Sequence, residues 1–493
     1  MSDKTSPGVL RSFPPVFWVA NVMELFERGA YYGMNSVLAI YLSDSVAAGG
    51  LGFSEQSIGF LQGLIYAFTY IVPILGGALA DRYGYRRMLM VAFSFLAIGY
   101  FVTGHMTAYG AVFTSLLVMA TGSGLFKPII SGTIARSTNE SNSGFGFGIY
   151  YWSINLGAFL APLFVSYLKG FSWSYVFTAS AVYCALMLIP AVFIYKDPPK
   201  PESTKKLGEV LGAAAIVLAD ARFMLMIFVY SGFWILYFQN FGSVLWFLRD
   251  FVDRAPVNQL FAALGIPFSF DAEHVTVINA GTIILLQVLV SRIVRNFKPL
   301  PTMIGGLVIG GLGFVCLAFA VNAWIFVLGI AVFSIGEMTA HPKYYSYVGL
   351  VAPADRKAVY MGYAFLYGVI GSLVGSNLGA AMYESMLKPL VGQTGVRDTL
   401  RNFWLIFAAL DVVAILGLLL YNRFFSADTP QANRAARRIM IGVYCLLVAA
   451  GMWFFYSAGL AAASVNYRTM VQAVIMLLIG AGGVFISLRH SAD

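Results

Sequence analysis

Charge is what this sequence has least of. Only 11% of its 493 residues are Asp, Glu, Lys or Arg, against about 25% in an ordinary soluble domain. Together with 59% hydrophobic residues, that scarcity excludes a water-soluble enzyme, a disordered chain and a coiled coil. Cysteine is scarce as well: Cys184, Cys316 and Cys445 each sit inside an apolar run and read as small core hydrophobes, with no disulfide framework and no metal-ligand spacing. The opening MSDKTSPGVL has neither a basic n-region nor a cleavage site, so no secretory signal is expected. A catalytic triad, a metal cluster, a phosphate-binding loop and a sizeable soluble domain are all missing. The expectation is a protein that is not an enzyme, holds no metal or organic cofactor and binds no nucleic acid.

What the chain does have is long hydrophobic runs. A membrane-spanning helix needs about 20 apolar residues. Fourteen runs of that order fall near 15–42, 57–80, 88–107, 110–133, 145–168, 173–195, 222–248, 274–293, 301–321, 323–351, 358–385, 403–423, 436–457 and 467–488. They predict an all-α polytopic membrane protein of 14 transmembrane helices, embedded in a lipid bilayer. The organisation reads as a six-helix bundle over 15–195 and a polar linker over 196–221 that contains the amphipathic stretch LGEVLGAAAIVL. A second six-helix bundle follows over 222–423, then two further helices over 424–493, read as packing or assembly elements peripheral to the rest. The segment FAALGIPFSF, in the long connection 249–273, is expected to cap the outer face.

Cytoplasmic loops collect Lys and Arg. With the N-terminus inside, 21 of the 31 basic residues fall on inside segments and 7 outside. Both termini are therefore expected in the cytoplasm and the chain in a cell membrane, the inner one if the source is bacterial. Two bundles around a basic linker are the layout of a transporter whose substrate sits near the bilayer midplane between them.

Charges inside spans cost about 2.5–3.5 kcal/mol each on insertion scales and are functional candidates by default. The first span, VANVMELFERGAYYGMNSVL, places Glu24, Arg28 and Tyr31 on one helical stripe with Glu27 beside it. A cation between two carboxylates can stay charged in a cavity, and protonating one carboxylate frees the Arg to hold an anion. This is a minimal device for coupling proton entry to substrate capture; the alternative is an ion-pair knot that only fixes helix packing. Lys127 and Glu337 also lie within spans. Lys127 could instead snorkel toward the basic end at Arg136, and Glu337 could pair with His341 or Lys343. Asp411, in the twelfth span, reads as hydrogen-bonded within the bundle, with a second protonation site as the alternative.

The loop GGALADRYGYRR between the second and third spans resembles the loop motif of the major facilitator superfamily through Gly77, Asp81, Arg82, Gly84, Arg86 and Arg87. That resemblance implies a conformational latch formed by Asp81, Arg82, Arg86 and Arg87. The pattern ExxER followed by Tyr31, Tyr32 and Gly33 resembles the proton-coupled oligopeptide transporter (POT/PTR) family. IYYWSINLGAFLAP, with Tyr151, Ile154, Asn155 and Gly157, GSGLFKPIIS, with Lys127 and Pro128, and the tenth-span segment around Gly336, Glu337 and Pro342 agree with it.

The resemblance implies the major facilitator fold and proton-coupled symport of di- and tripeptides by a monomer, with the proton as coupling ion. A peptide zwitterion needs an anion for its amino end and a cation for its carboxylate. Glu337 would serve the first, Arg28 and Lys127 the second, while Glu24 and Glu27, with Arg28 and Lys127, handle the proton. Tyr31, Tyr32, Tyr66, Tyr70, Tyr150, Tyr151, Asn155, Trp234, Gln239 and Asn279 are the expected lining, with His341 and Lys343 nearby. The chain departs from the family at Phe238, where an acid usually precedes the Gln, at His341 for Ser, and at Lys343. These departures leave open a modified peptide or another small organic anion. A drug exporter fits less well, because it needs no paired cation and anion.

Overall fold

Residues 12–139, 142–197, 212, 215–353, 356–460 and 466–489 are described in a computed structural model. The described residues are almost entirely helical, and the one β-bridge among them joins Asp253 to Asn322. Numbering only the long helices, the first half comprises α1 (Pro15–Asn35), α2 (Glu55–Tyr83), α3 (Tyr85–Thr103), α4 (Tyr109–Arg136), α5 (Ser143–Leu168) and α6 (Trp173–Leu186, continued by Leu188–Phe193). The second comprises α7 (Ala221–Tyr237), α8 (His274–Val294), α9 (Pro299–Ala318), α10 (Ala323–Val351), α11 (Leu366–Met382) and α12 (Arg397–Phe424). The hairpin α13 (Pro430–Phe455) and α14 (Tyr467–Arg489) closes the order.

Thirteen helical segments among the described residues are long and apolar enough to cross a membrane. α1 has the length but carries Glu24, Glu27 and Arg28. Helix ends follow local chemistry: Ser54, Asn322 and Thr429 accept hydrogen bonds from the first-turn amides of α2, α10 and α13. Gly84, at φ 95°, makes the tight α2–α3 turn that a side chain would strain.

Several expected runs are broken, three of them in the first, seventh and eleventh positions. The run 15–42 divides at Ser36 and Val37 into α1 and a short helix, Leu38–Ser43. α7 tightens into a 3-10 turn at Phe238–Phe241 before resuming as Ser243–Phe251, and α11 ends in a π-turn over Tyr383–Leu387. Such irregular backbone inside a membrane is tolerated where it is buried in protein, and Phe238 and Gln239 are 3% and 1% exposed. Most of the amphipathic stretch in the 196–221 linker lies outside the described residues. The segment after α7 forms a short helix, Ala255–Ala263, whose Phe261 ring lies tilted against Phe268 at 4.3 Å; Phe268 in turn covers His274 at the start of α8.

Within the first half α1 packs on α5 and α6, and α4 on α2 and α3; within the second α9 packs on α10 and α12, and α7 on α11. Two seams join the halves, α2 against α11 and α5 against α8. The α2–α11 seam is closed by Gly59 and Gly63, four residues apart on one face. A Cβ on Gly59 would stand 2.4 Å from the Ala380 methyl, and one on Gly63 would stand 2.9 Å from Asn377 Nδ2. Small residues let helices approach this closely where lipid supplies no hydrophobic drive. The hairpin rests on α7 through α13.

Candidate transport site

α1 carries the densest charge in the membrane. Glu24, Glu27 and Arg28 are 2%, 0% and 6% exposed. Arg28 Nε lies 3.6 Å from Glu24 Oε1, and the guanidinium donates to Glu27. It also donates at 3.3 Å to Ser123 Oγ of α4, which itself donates to Glu27 Oε1 at 3.0 Å. Glu27 is thus held from two sides. Glu24 Oε2 is buried with no hydrogen-bond partner among the described residues. Ser123 was not among the expected residues; its signal is the i, i+4 spacing to Lys127 in GSGLFKP, which puts both on one face of α4.

Lys127 turns from α4 toward α2 instead of running along its own helix to Arg136. Its Nζ lies 3.4 Å from the Thr69 carbonyl and 5.3 Å from the Tyr70 ring centroid, within electrostatic reach of Arg28, Glu27 and Glu24. Arg28 Cζ stands 5.0 Å over Tyr31, whose ring meets Tyr32 edge-on. On the other half, half-buried Glu337 accepts a 2.9 Å hydrogen bond from Asn279 Nδ2 of α8, which donates at the same distance to Ser334 Oγ. Tyr32 of α1, Tyr151 of α5 and Tyr237 of α7 lie within electrostatic reach of Glu337. Tyr32 lies within electrostatic reach of both Arg28 and Glu337, so it stands between the cations of one half and the carboxylate of the other. Asn155 donates to the Tyr151 carbonyl at 2.9 Å, and Tyr150 lies within electrostatic reach of Glu24.

Several expected residues are engaged elsewhere. Lys343 is not paired with Glu337: its Nζ lies 2.9 Å from the Phe297 carbonyl and 3.4 Å from that of Arg295, so it caps the end of α8. Its long stem reaches a helix terminus at lower cost than it could span the buried distance back to Glu337. Gln239 is spent on the seam between α7 and α11, donating to the Ile235 and Gly375 carbonyls at 2.7 and 2.9 Å and accepting from Ser243 at 2.9 Å; the 3-10 turn points it there. Tyr66 is 1% exposed, donates to Asn35 at 2.5 Å and stacks on Phe238, so it closes the space and does not line it. Trp234, 3% exposed, supports His341 at 5.0 Å and Tyr367 at 4.4 Å. Asp411, 0% exposed against Gly311, has neither carboxyl oxygen hydrogen-bonded among the described residues, contrary to expectation.

The residues of the expected latch make contacts within the first half and at the start of the linker. Asp81 meets Arg136 at 3.4 Å and Tyr85 at 3.3 Å; the Arg86 amide donates to Asp197 at 2.6 Å, and its side chain to the Val192 carbonyl. Arg82 lies against Tyr83, and Arg87 is exposed.

Side chains counted only toward topology instead join the two halves, at the end predicted to face outside. Arg249 pairs with Asp44 at 2.7 Å, Lys388 with Glu55 at 2.5 Å, and Lys169 with Asp271 and Glu273 at 2.6 and 2.7 Å. Burial opposes charge at Lys169, yet Glu273 and Asp271 hold its ammonium above the ordinary lysine range. Burial likewise works against ionised Asp271, but Lys169 and Arg254 hold it below the usual carboxylate range. The two halves are thus tied together at that end.

A family model described as Major Facilitator Superfamily matches residues 25–376, well over half of the chain. The chain belongs to the Major Facilitator Superfamily. Within it, the dipeptide and tripeptide permease A of Klebsiella pneumoniae (strain 342) is 30% identical over 227 residues, covering 43% of this chain and 44% of the permease. The peptide transporter YePEPT of Yersinia enterocolitica is 23% identical over 458 residues, covering 74% of this chain and 88% of that one. A solved POT family transporter in complex with 5-aminolevulinic acid superposes with a TM-score of 0.70 at 19% identity, covering 85% of this chain and 100% of that one. The chain spans less than half the length of several curated relatives, 43% and 44% in two of them. This superfamily member thus has the fold of the POT transporters, a multi-pass membrane protein with its charged cluster between the halves.

Proposed function

We propose that this chain is a proton-coupled symporter of di- and tripeptides in the POT branch of the superfamily, working by alternating access as a monomer. One observation carries the reading: Arg28 and Lys127 stand on the first half, Glu337 on the second, with tyrosines between them. A zwitterionic peptide bridging these poles would draw the halves together. Arg28 is the link to the proton. Bound to Glu24 and Glu27, it is unavailable to a substrate carboxylate; a proton on Glu24, whose second oxygen has no partner, releases one of its two counter-charges. Substrate capture by Arg28 then follows proton entry, and closure of the opposite end carries both through. Both termini face the cytoplasm in this reading, so the closed end is the outer one and the carrier faces inward.

The test is uptake of labelled dialanine into proteoliposomes with and without an imposed pH gradient. Gradient-dependent accumulation supports the reading; equal uptake with and without the gradient removes proton coupling, and no uptake in either condition removes the peptide.

A further inference from the structure

We infer that His341 sets substrate specificity by offering a neutral hydrogen-bond donor beside Glu337; the inference rests on the peptide reading above. His341 follows Glu337 by four residues on α10, just over one turn or about 6 Å along the same face. Its ring is boxed edge-to-face by Trp234, Tyr345 and Tyr367, with centroids at 5.0, 5.0 and 5.6 Å. Nδ1 is buried with no hydrogen-bond partner among the described residues, whereas Nε2 is not among the buried unpaired atoms and makes no described hydrogen bond. Nε2 is therefore the edge left open.

A neutral imidazole carries its proton on one nitrogen only. Orphaned buried N–H donors are rarer than under-used acceptors, so the proton belongs on Nε2, and Nδ1 keeps a lone pair in the aromatic box. One turn from the carboxylate that receives the ammonium, His341 then presents a donor to an acceptor farther along the substrate, which in a dipeptide is a backbone carbonyl. Within the aromatic box the Tyr345 and Tyr367 hydroxyls are engaged with each other at 3.2 Å, which leaves the imidazole edge to distinguish a carbonyl from a methylene at this point of the wall. A single donor does so, because the analogue lacking the acceptor leaves it unpaired.

The probe is dialanine against its alkene isostere, in which the peptide carbonyl is replaced by a carbon–carbon double bond. Wild type is expected to bind dialanine about five- to tenfold more tightly. His341→Phe, which keeps an aromatic ring in the box, is expected to bring the ratio near one, and His341→Gln, which restores an N–H donor, to recover part of it. An unchanged ratio in a folded His341→Phe protein overturns the assignment. Binding of neither probe by wild type overturns the peptide reading instead.

A second inference rests on separate contacts. We propose that the α13–α14 hairpin is a strap that holds the two halves together at the closed end. Arg468, at the start of α14, donates to Ser57 Oγ of α2 at 2.5 Å. One turn on, Gln472 donates to Asn377 Oδ1 of α11 at 2.6 Å. α2 belongs to the first half and α11 to the second, and these contacts flank the Gly59–Gly63 seam where the helices touch. The hairpin is anchored independently, through α13 on α7. Separation of α2 from α11 at this end must break at least one of the two hydrogen bonds, so the hairpin favours the closed arrangement.

Spin labels at exposed Val46 and Leu264, in a cysteine-free background, report the separation of the halves at this end. Arg468→Ala combined with Gln472→Ala is expected to raise the ratio of open to closed distances by about five- to tenfold; Ser57→Ala, which removes the first contact from the other side, is expected to give a smaller shift in the same direction. An unchanged distance distribution in either variant, at wild-type melting temperature, overturns the strap.

Discussion

Phe238 of α7 lies nearly flat on Tyr66 of α2, ring centroids 5.2 Å apart and planes 22° from parallel, across the boundary between the two halves. Tyr70 meets the same ring edge-on at 6.3 Å. Where the family it resembles usually has an acid, this chain has an apolar stack across the two halves. Phe238→Ala should lower stability by about 3 kcal/mol, the usual cost of emptying a buried aromatic site, read as a drop in melting temperature in detergent. Little or no drop would mean that the stack does not hold the halves together.

The two acids of α1 are predicted to separate in their effects. Glu24→Gln should abolish gradient-driven accumulation while leaving exchange between two peptide pools intact, because Glu24 contributes a second counter-charge that Arg28 can lose. Glu27→Ala should cost about 3–5 kcal/mol of stability, since it leaves a buried guanidinium without its closest partner. Concentrative uptake by Glu24→Gln at the wild-type rate would contradict the proton assignment.

Glu337→Gln should weaken dipeptide binding by about 10- to 100-fold, the loss expected when a charge-assisted hydrogen bond becomes a neutral one, with the melting temperature retained because Asn279 can still donate to the amide oxygen. Titration calorimetry with dialanine measures it.

Lys343→Ala is expected to leave binding and uptake unchanged and to cost about 1 kcal/mol through the lost cap on α8. A change in dialanine affinity would return Lys343 to the substrate site.

The outer clamp has a defined pH window. Asp271 is held below its ordinary value of 3.8, so its contribution is fully present above that pH and is lost as the pH falls below it. Lys169 is held above 10.5, so its contribution is present below that pH and fades above it. The difference in melting temperature between wild type and Asp271→Asn, worth about 1 kcal/mol for a partly exposed pair, should stay level between pH 5 and pH 9 and shrink below pH 3.8. A difference that varies across the neutral range would exclude this origin.

The α1 cluster was legible because helical spacing alone places Glu24, Arg28 and Tyr31 on one stripe, whatever the helix packs against. Glu337 was legible as a charge within a span, and Asn279 as a lining candidate by its position in the eighth. Lys343 and Gln239 were misplaced for a common reason: a side chain's direction depends on backbone that the hydrophobic pattern does not encode. The 3-10 turn at Phe238–Phe241 re-aims Gln239, and the end of α8 attracts Lys343. Ser123 had a local signal in its spacing to Lys127, whereas the outer ion pairs join residues far apart in the chain, so no local spacing announces them. The breaks in the first, seventh and eleventh runs were hidden because an apolar run looks the same whether its backbone is continuous or bent.

The burial of Glu24, Glu27 and Arg28 also bears on how the protein is made. Three charges on one helix would add several kcal/mol to its partition into lipid, so α1 is poorly suited to enter a bilayer alone. The partner that closes its ion-pair knot, Ser123, belongs to α4, and α5 supplies the surface against which α1 packs. Stable insertion of α1 therefore waits on helices synthesised about a hundred residues later, and until they arrive it needs shelter from lipid at the insertion site.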